Sequence, residues 1–106
     1  RALERCTFRN IKLDLSSFQE MKLPGVKFLE CSAREADFTQ ADLAGADFSG
    51  SALLKATFTR ANLAKADLRT AREYFIDPMS TKIRGVKLGL PEALGLLEAL
   101  GVEGLR

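Results

Sequence analysis

Two thiols, Cys6 and Cys31, and four carboxylates at related spacings, Asp37, Asp42, Asp47 and Asp67, are the residues of this 106-residue chain whose types could do chemistry. Paired thiols suggest a disulfide or a soft-metal site, and carboxylates suggest acid–base work or a hard cation. The chain contains no His, which removes imidazole catalysis and His–metal ligation. No nucleophile stands beside a base, and no glycine loop has phosphate-cradling spacing. The expectation is a non-enzymatic protein without cofactor or metal.

Bulk properties narrow the partners. Sixteen Lys and Arg against fourteen Asp and Glu leave +2, too balanced for a direct nucleic-acid binder. Hydrophobic residues make up 46% of the chain, too many for disorder, and no apolar run approaches the ~18 residues of a membrane span. A cytoplasmic protein is expected, although the chain opens on Arg1 and the absence of a leader carries no weight.

What must position these side chains is a repeat of five. Residues 36–70 divide into Ala36-Asp-Phe-Thr-Gln, Ala41-Asp-Leu-Ala-Gly, Ala46-Asp-Phe-Ser-Gly, Ser51-Ala-Leu-Leu-Lys, Ala56-Thr-Phe-Thr-Arg, Ala61-Asn-Leu-Ala-Lys and Ala66-Asp-Leu-Arg-Thr. From Leu3 to Leu68 every fifth residue is Leu or Phe except Ala33. Five matches neither the helical 3.6 nor the strand period of 2. A chain that turns a corner once per five residues reconciles it: two inward residues flank one outward residue of a short extended segment, and polar residues fill the bend.

The pattern resembles the pentapeptide-repeat family, whose consensus is Ala-(Asp/Asn)-Leu-X-X. The resemblance implies an all-β fold, a right-handed quadrilateral β-helix with four fives per coil. Twenty residues per coil then sort the ladder into walls. One wall stacks Leu3, Leu23, Leu43, Leu63 and Ile83, and another Phe8, Phe28, Phe48, Leu68 and Leu88. The remaining walls stack Leu13, Ala33 and Leu53, and Phe18, Phe38 and Phe58. Phe walls face each other, and so do Leu walls. Ala33 leaves space in a slot shaped for Leu or Phe, which Ile11 and Met21 are expected to fill in part.

On this reading Cys6 and Cys31 are buried, apart, and act as small hydrophobes. Asp37, Asp42 and Asp47 leave successive walls and cannot converge, while Asp47 and Asp67 stack. The coils occupy 1–70. A loop follows at 71–80, where Glu73 and Pro78 stand in inward slots, then a final partial coil at 81–90. Residues 91–106 form a C-terminal capping helix and tail, with Pro91 at the first helical position and Gly101 past the end. Ala93, Leu96, Leu97 and Leu100 share a face. Leu54, Tyr74 and Phe75 are expected as an outward patch. Candidate cap or interface residues are Tyr74, Phe75, Leu94, Leu96, Leu97, Leu100 and Val102.

A protein partner is therefore expected for a stiff module with flat walls, and a passive scaffold is the alternative. The resemblance adds possible partners: some members protect DNA gyrase or topoisomerase IV from quinolones, and members with a similar ending often form homodimers through their C-terminal ends. Protection by imitation of DNA needs an acidic surface. Here Lys22, Lys27, Lys55, Arg60, Lys65 and Arg69 interrupt any acidic stripe.

Overall fold

A computed structural model describes residues 5–104. The molecule is elongated, 41 × 23 × 22 Å, and its long axis is built from parallel pairings between residues twenty apart. Two of these are long enough to form strand pairs: β1 (Thr7–Arg9) with β2 (Lys27–Leu29), and β3 (Asp67–Leu68) with β4 (Lys87–Leu88). Elsewhere the pairing is a single residue wide, as in Ser17 with Asp37, Lys22 with Asp42, Asp37 with Thr57 and Asn62 with Lys82. Strands stay this short because a corner interrupts them every five residues.

Each corner is closed locally. The carbonyl of an inward residue accepts the amide three residues on, Phe38 from Ala41 at 3.0 Å and Leu43 from Ala46 at 3.0 Å. The fifth residue of the repeat has positive φ, as at Gln40, Lys55, Arg60 and Lys65 and at Gly45 and Gly50. A lone positive φ at the third residue of a four-residue turn is the signature of type II. Rungs then tie coil to coil: the Phe38 amide donates to the Thr57 carbonyl at 2.8 Å, and the Thr57 amide to the Ala36 carbonyl at 2.9 Å.

The interior is a set of ladders. Phe8, Phe28 and Phe48 stack at centroid distances of 5.3 and 5.1 Å, and Phe18, Phe38 and Phe58 at 5.0 and 5.2 Å. The two columns meet edge to face, Phe28 on Phe38 at 5.9 Å and Phe38 on Phe48 at 5.8 Å, the offset geometry aromatic quadrupoles favour. Leu23, Leu43, Leu53, Leu63 and Leu68 are fully buried; Leu13, Ile83 and Leu88 are half-buried toward the ends. Leu3 lies outside the described residues. Ala33 is buried; Met21 is partly buried against the core, whereas Ile11 is largely outward.

Residues 71–80 break the ladder in a way the five-residue frame does not anticipate. Arg72 still pairs with Ala52, and Lys82 with Asn62. Between them Glu73 turns outward at φ 63, and Tyr74 and Ile76 take the inward places, both buried. Tyr74 is thus not part of an outward patch with Leu54 and Phe75. Burying Glu73 or Pro78 would cost more than a local slip, because an uncompensated carboxylate in the core is expensive. The slip also leaves Thr57 and Asp77 without the pairing that their separation of twenty residues would give.

The last element is α1 (Glu92–Ala99). Pro91 occupies the N-cap position, one residue earlier than expected, so the helix proper starts at Glu92. It ends in a Schellman arrangement: Gly101 at φ 86 donates to Glu98, and Val102 donates to Leu97 at 3.1 Å. Its start is tied to the coils, with Ala93 donating to Gly89 and the Glu92 carboxylate accepting the Glu73 amide at 2.8 Å. Burial is therefore uneven. Leu96 joins the core, whereas Leu97 and Leu100 are exposed rather than sharing the buried face.

Candidate interaction surface

Because the inward positions are consumed by ladders, anything the molecule does externally falls to the second, fourth and fifth residues of each five. The second position carries most of the Asp side chains, and geometry gives them a local task. Asp37 Oδ1 accepts the Thr39 amide at 2.9 Å, Asp42 the Ala44 amide at 3.1 Å, and Asp47 the Ser49 amide at 2.9 Å. Asn62 does the same for Ala64, and Asp67 for Arg69. Each side chain braces its own corner as an Asx turn.

Electrostatics follow from that bracing. The Thr39 hydroxyl, helped by the Gln19 amide and the Thr39 N–H, holds the Asp37 carboxyl below its ordinary value. Asp67 is lowered chiefly by Arg69, whose guanidinium lies 2.9 Å from Asp67 Oδ2; Arg69 is raised in return. Asp14 is lowered by the Ser32 hydroxyl and the Arg34 amide of the following coil. Asp47 and Asp67 are paired residues of adjacent coils. Among the described residues no group of three or more His, Cys, Asp or Glu could hold a metal ion.

The thiols are separate. Cys31 is buried, and its Sγ donates to the Phe8 carbonyl at 3.2 Å. Cys6 is only half-buried. Neither is in a disulfide.

Outward columns carry both signs of charge along the axis. Lys22, Asp42, Asn62 and Lys82 follow one another on one wall, and Lys27, Asp47, Asp67 and Lys87 on the next. In the first column Asp42 and Asn62 stand between two lysines; the second begins at Thr7 and holds Asp47 and Asp67 between Lys27 and Lys87.

The apolar exception is the C-terminal end. Phe75, Met79, Leu90, Leu97, Leu100 and Val102 are exposed there. Leu94 is half-buried, and Leu96 serves the core instead of the surface. Burial pushes the Tyr74 hydroxyl up, and that hydroxyl accepts the Gly89 amide at 3.3 Å, joining the loop to the start of the cap. Ile76 and the inward hydroxyls of Ser51 and Thr81 had no signal as functional residues beyond their place in the register. No helix among the described residues is long and apolar enough to cross a membrane.

Comparison with known proteins gives one family match: the model for the "Pentapeptide repeat region" matches residues 2–58. No curated protein matches. Similar solved structures include the pentapeptide repeat protein Rfr23 from the cyanobacterium Cyanothece 51142, 23% identical, covering 84% of this chain and 60% of that one with a TM-score of 0.39. A trypsin-treated variant of QnrB1, a plasmid-mediated fluoroquinolone resistance protein, is 23% identical over 99% of this chain and 70% of its own, TM-score 0.38. A pentapeptide repeat protein from the Arabidopsis thaliana thylakoid lumen is 28% identical over 79% of this chain and 59% of its own, TM-score 0.36. The chain thus spans about three fifths of the cyanobacterial and plant proteins.

Proposed function

The chain belongs to the pentapeptide-repeat family, and from that premise we propose that it is a non-enzymatic interaction module whose β-helix walls meet a macromolecular protein partner. We read its four pairing columns as the walls of a right-handed quadrilateral. The observation that carries the proposal is the fate of the reactive side chains: each of Asp37, Asp42, Asp47 and Asp67 is committed to its own turn. What remains outward is a regular charged and polar surface on a braced frame, suited to recognition.

The test is charge reversal on one wall. Lys22→Glu with Lys82→Glu should weaken partner binding while the thermal midpoint stays put, because both side chains are outward. Partner binding that survives reversal on every wall overturns recognition through the walls, and a chain that captures no partner at all is a passive scaffold.

Protection of a type II topoisomerase is the narrower alternative. QnrB1 is a fluoroquinolone resistance protein, and the acidic centres at Asp42 and at Asp47 with Asp67 favour such a partner, while the flanking lysines oppose it. Supercoiling by purified gyrase in the presence of a quinolone, titrated with this chain, decides: restored supercoiling establishes it, and no effect removes it. Homodimerisation through the exposed Leu97, Leu100 and Val102 belongs to the same proposal. Sedimentation as a monomer at high micromolar concentration would remove it.

A further inference from the structure

Along the ladder, each outward residue at the second position of a five makes the same pair of contacts with the coil that follows. For Asp37 and Thr57 these are the Phe38 amide to the Thr57 carbonyl and the Thr57 amide to the Ala36 carbonyl. Asp42 with Asn62 and Ala52 with Arg72 repeat the arrangement. At the next step on the Phe38 wall the pattern stops. The slip that buries Tyr74 and Ile76 moves Asp77 away from Thr57, so the amide of Phe58 and the carbonyl of Ala56 have no partner among the described residues. Phe58 as a residue is buried nonetheless, and a backbone amide left without a protein partner in such a place calls for water or a ligand.

A cavity of about 120 Å³ opens at this place. Ala56, Thr57, Phe58, Phe75, Asp77 and Ser80 are among the residues that line it. The neighbouring rungs hold the gap open on both sides: Arg60 donates to Ser80, and Arg72 to Ser51. One donor and one acceptor, flanking Thr57, are what a residue of extended backbone uses to make a parallel bridge.

We propose that the gap between Thr57 and Asp77 receives one residue of an extended peptide from a protein partner, a basic residue flanked by small ones. The assignment rests on the reading of this chain as a protein-binding module and locates one contact of that module. Bridge partners share a face, so the side chain of the docked residue lies outward beside Asp77, whose Oδ1 accepts the Met79 amide at 2.9 Å while the carboxylate keeps its charge, which favours Lys or Arg. Its neighbours lie against the cavity, where the available volume admits glycine or alanine. The exposed ring of Phe75 borders the entrance and supplies contact area for the peptide stem. This is strand addition reduced to a single rung.

The experiment is amide-resolved NMR on the full chain. In the free protein the Phe58 amide should exchange at least about tenfold faster than that of Phe38, whose rung is made. Acetyl-Gly-Lys-Gly-N-methylamide at millimolar concentration should shift the Phe58 amide saturably and slow its exchange. Acetyl-Gly-Glu-Gly-N-methylamide should bind severalfold more weakly, and Asp77→Asn should erase the difference. Exchange at Phe58 as slow as at Phe38 would mean that Asp77 closes the bridge in solution, and no saturable shift would mean that water alone fills the gap; either overturns the assignment. Equal binding of the two peptides overturns its charge selectivity. None of these results touches recognition through the walls, which the charge-reversal variants test separately.

Discussion

The hydroxyl of Ser51 donates to the Phe28 carbonyl at 2.7 Å and accepts the Cys31 amide at 3.0 Å. It stands in for the direct turn bond that closes most other corners, and it does so from the following coil, with Ser51 fully buried. Ser51→Ala should therefore cost about 1–3 kcal/mol, the range for leaving buried polar groups unpaired. A chemical denaturation midpoint unchanged from the parent would show that the corner relaxes to the direct bond at no cost.

Phe38 touches rings on all sides: Phe18 and Phe58 along its column, Phe28 and Phe48 across the core. Phe38→Ala should destabilise by about 3–5 kcal/mol. Phe8, half-buried and stacked on Phe28, should lose clearly less on the same change. Equal losses in urea unfolding would argue against the ladder as the stabilising unit.

Gly89 lies where the final coil meets the cap. A Cβ added there would stand 2.2 Å from the Arg69 carbonyl oxygen, a backbone atom that cannot swing away. Gly89→Ala should lower stability by about 1–3 kcal/mol or more and raise the proteolytic sensitivity of α1. Parental resistance to thermolysin, which cuts beside the leucines of α1, would contradict the close approach.

Leu15 has positive φ, 64°, and an exposed side chain. A branched residue pays about 1–2 kcal/mol for that conformation, and glycine loses about 0.5–1 kcal/mol through the unfolded chain. Leu15→Gly should thus be neutral to stabilising, by up to about 1.5 kcal/mol. A fall in the melting temperature would mean that the side chain makes contacts worth more than the strain.

Asp37 and Asp67 both have carboxyls lowered from the ordinary 3.8 by partners that exist only in the fold. A lowered folded value means that the unfolded chain takes up protons first as pH falls. The stabilisation is therefore complete above the unfolded value near 3.8 and is lost as pH drops through the folded values below it. Acid unfolding should begin below about pH 4, and Asp37→Asn, which keeps an oxygen for the Thr39 amide, should flatten that dependence. An Asp37→Asn profile as steep as the parent's below pH 4 would assign the acid sensitivity to other groups.

Residues 5–70 were legible because every five carries the same local instructions: an apolar residue to bury, a small one two before it, an Asp, Asn, Ser or Thr in many corners. The period of twenty, hidden in the alternation of Phe and Leu, announced which rings would stack. Residues 71–80 were not legible in the same way. With Glu73 and Pro78 in inward slots, the pattern could announce a break but not that Tyr74 and Ile76 would turn in to replace them. Nor could helical spacing tell that Leu96 would enter the core while Leu97 and Leu100 stayed outside, since all three lie on one apolar side of a short helix.

By itself, then, the order of residues determined the repeat, the corners and the ladders, because these depend on interactions within five residues and on a period that every coil shares. Tertiary structure alone decided what happens where the period fails. There the competing costs are non-local: a buried carboxylate avoided at Glu73, a buried Tyr74 whose hydroxyl accepts the Gly89 amide, and a helix tied by Glu92 to the coil below. The open rung between Thr57 and Asp77 is a product of that balance, and no five-residue window contains both of its sides.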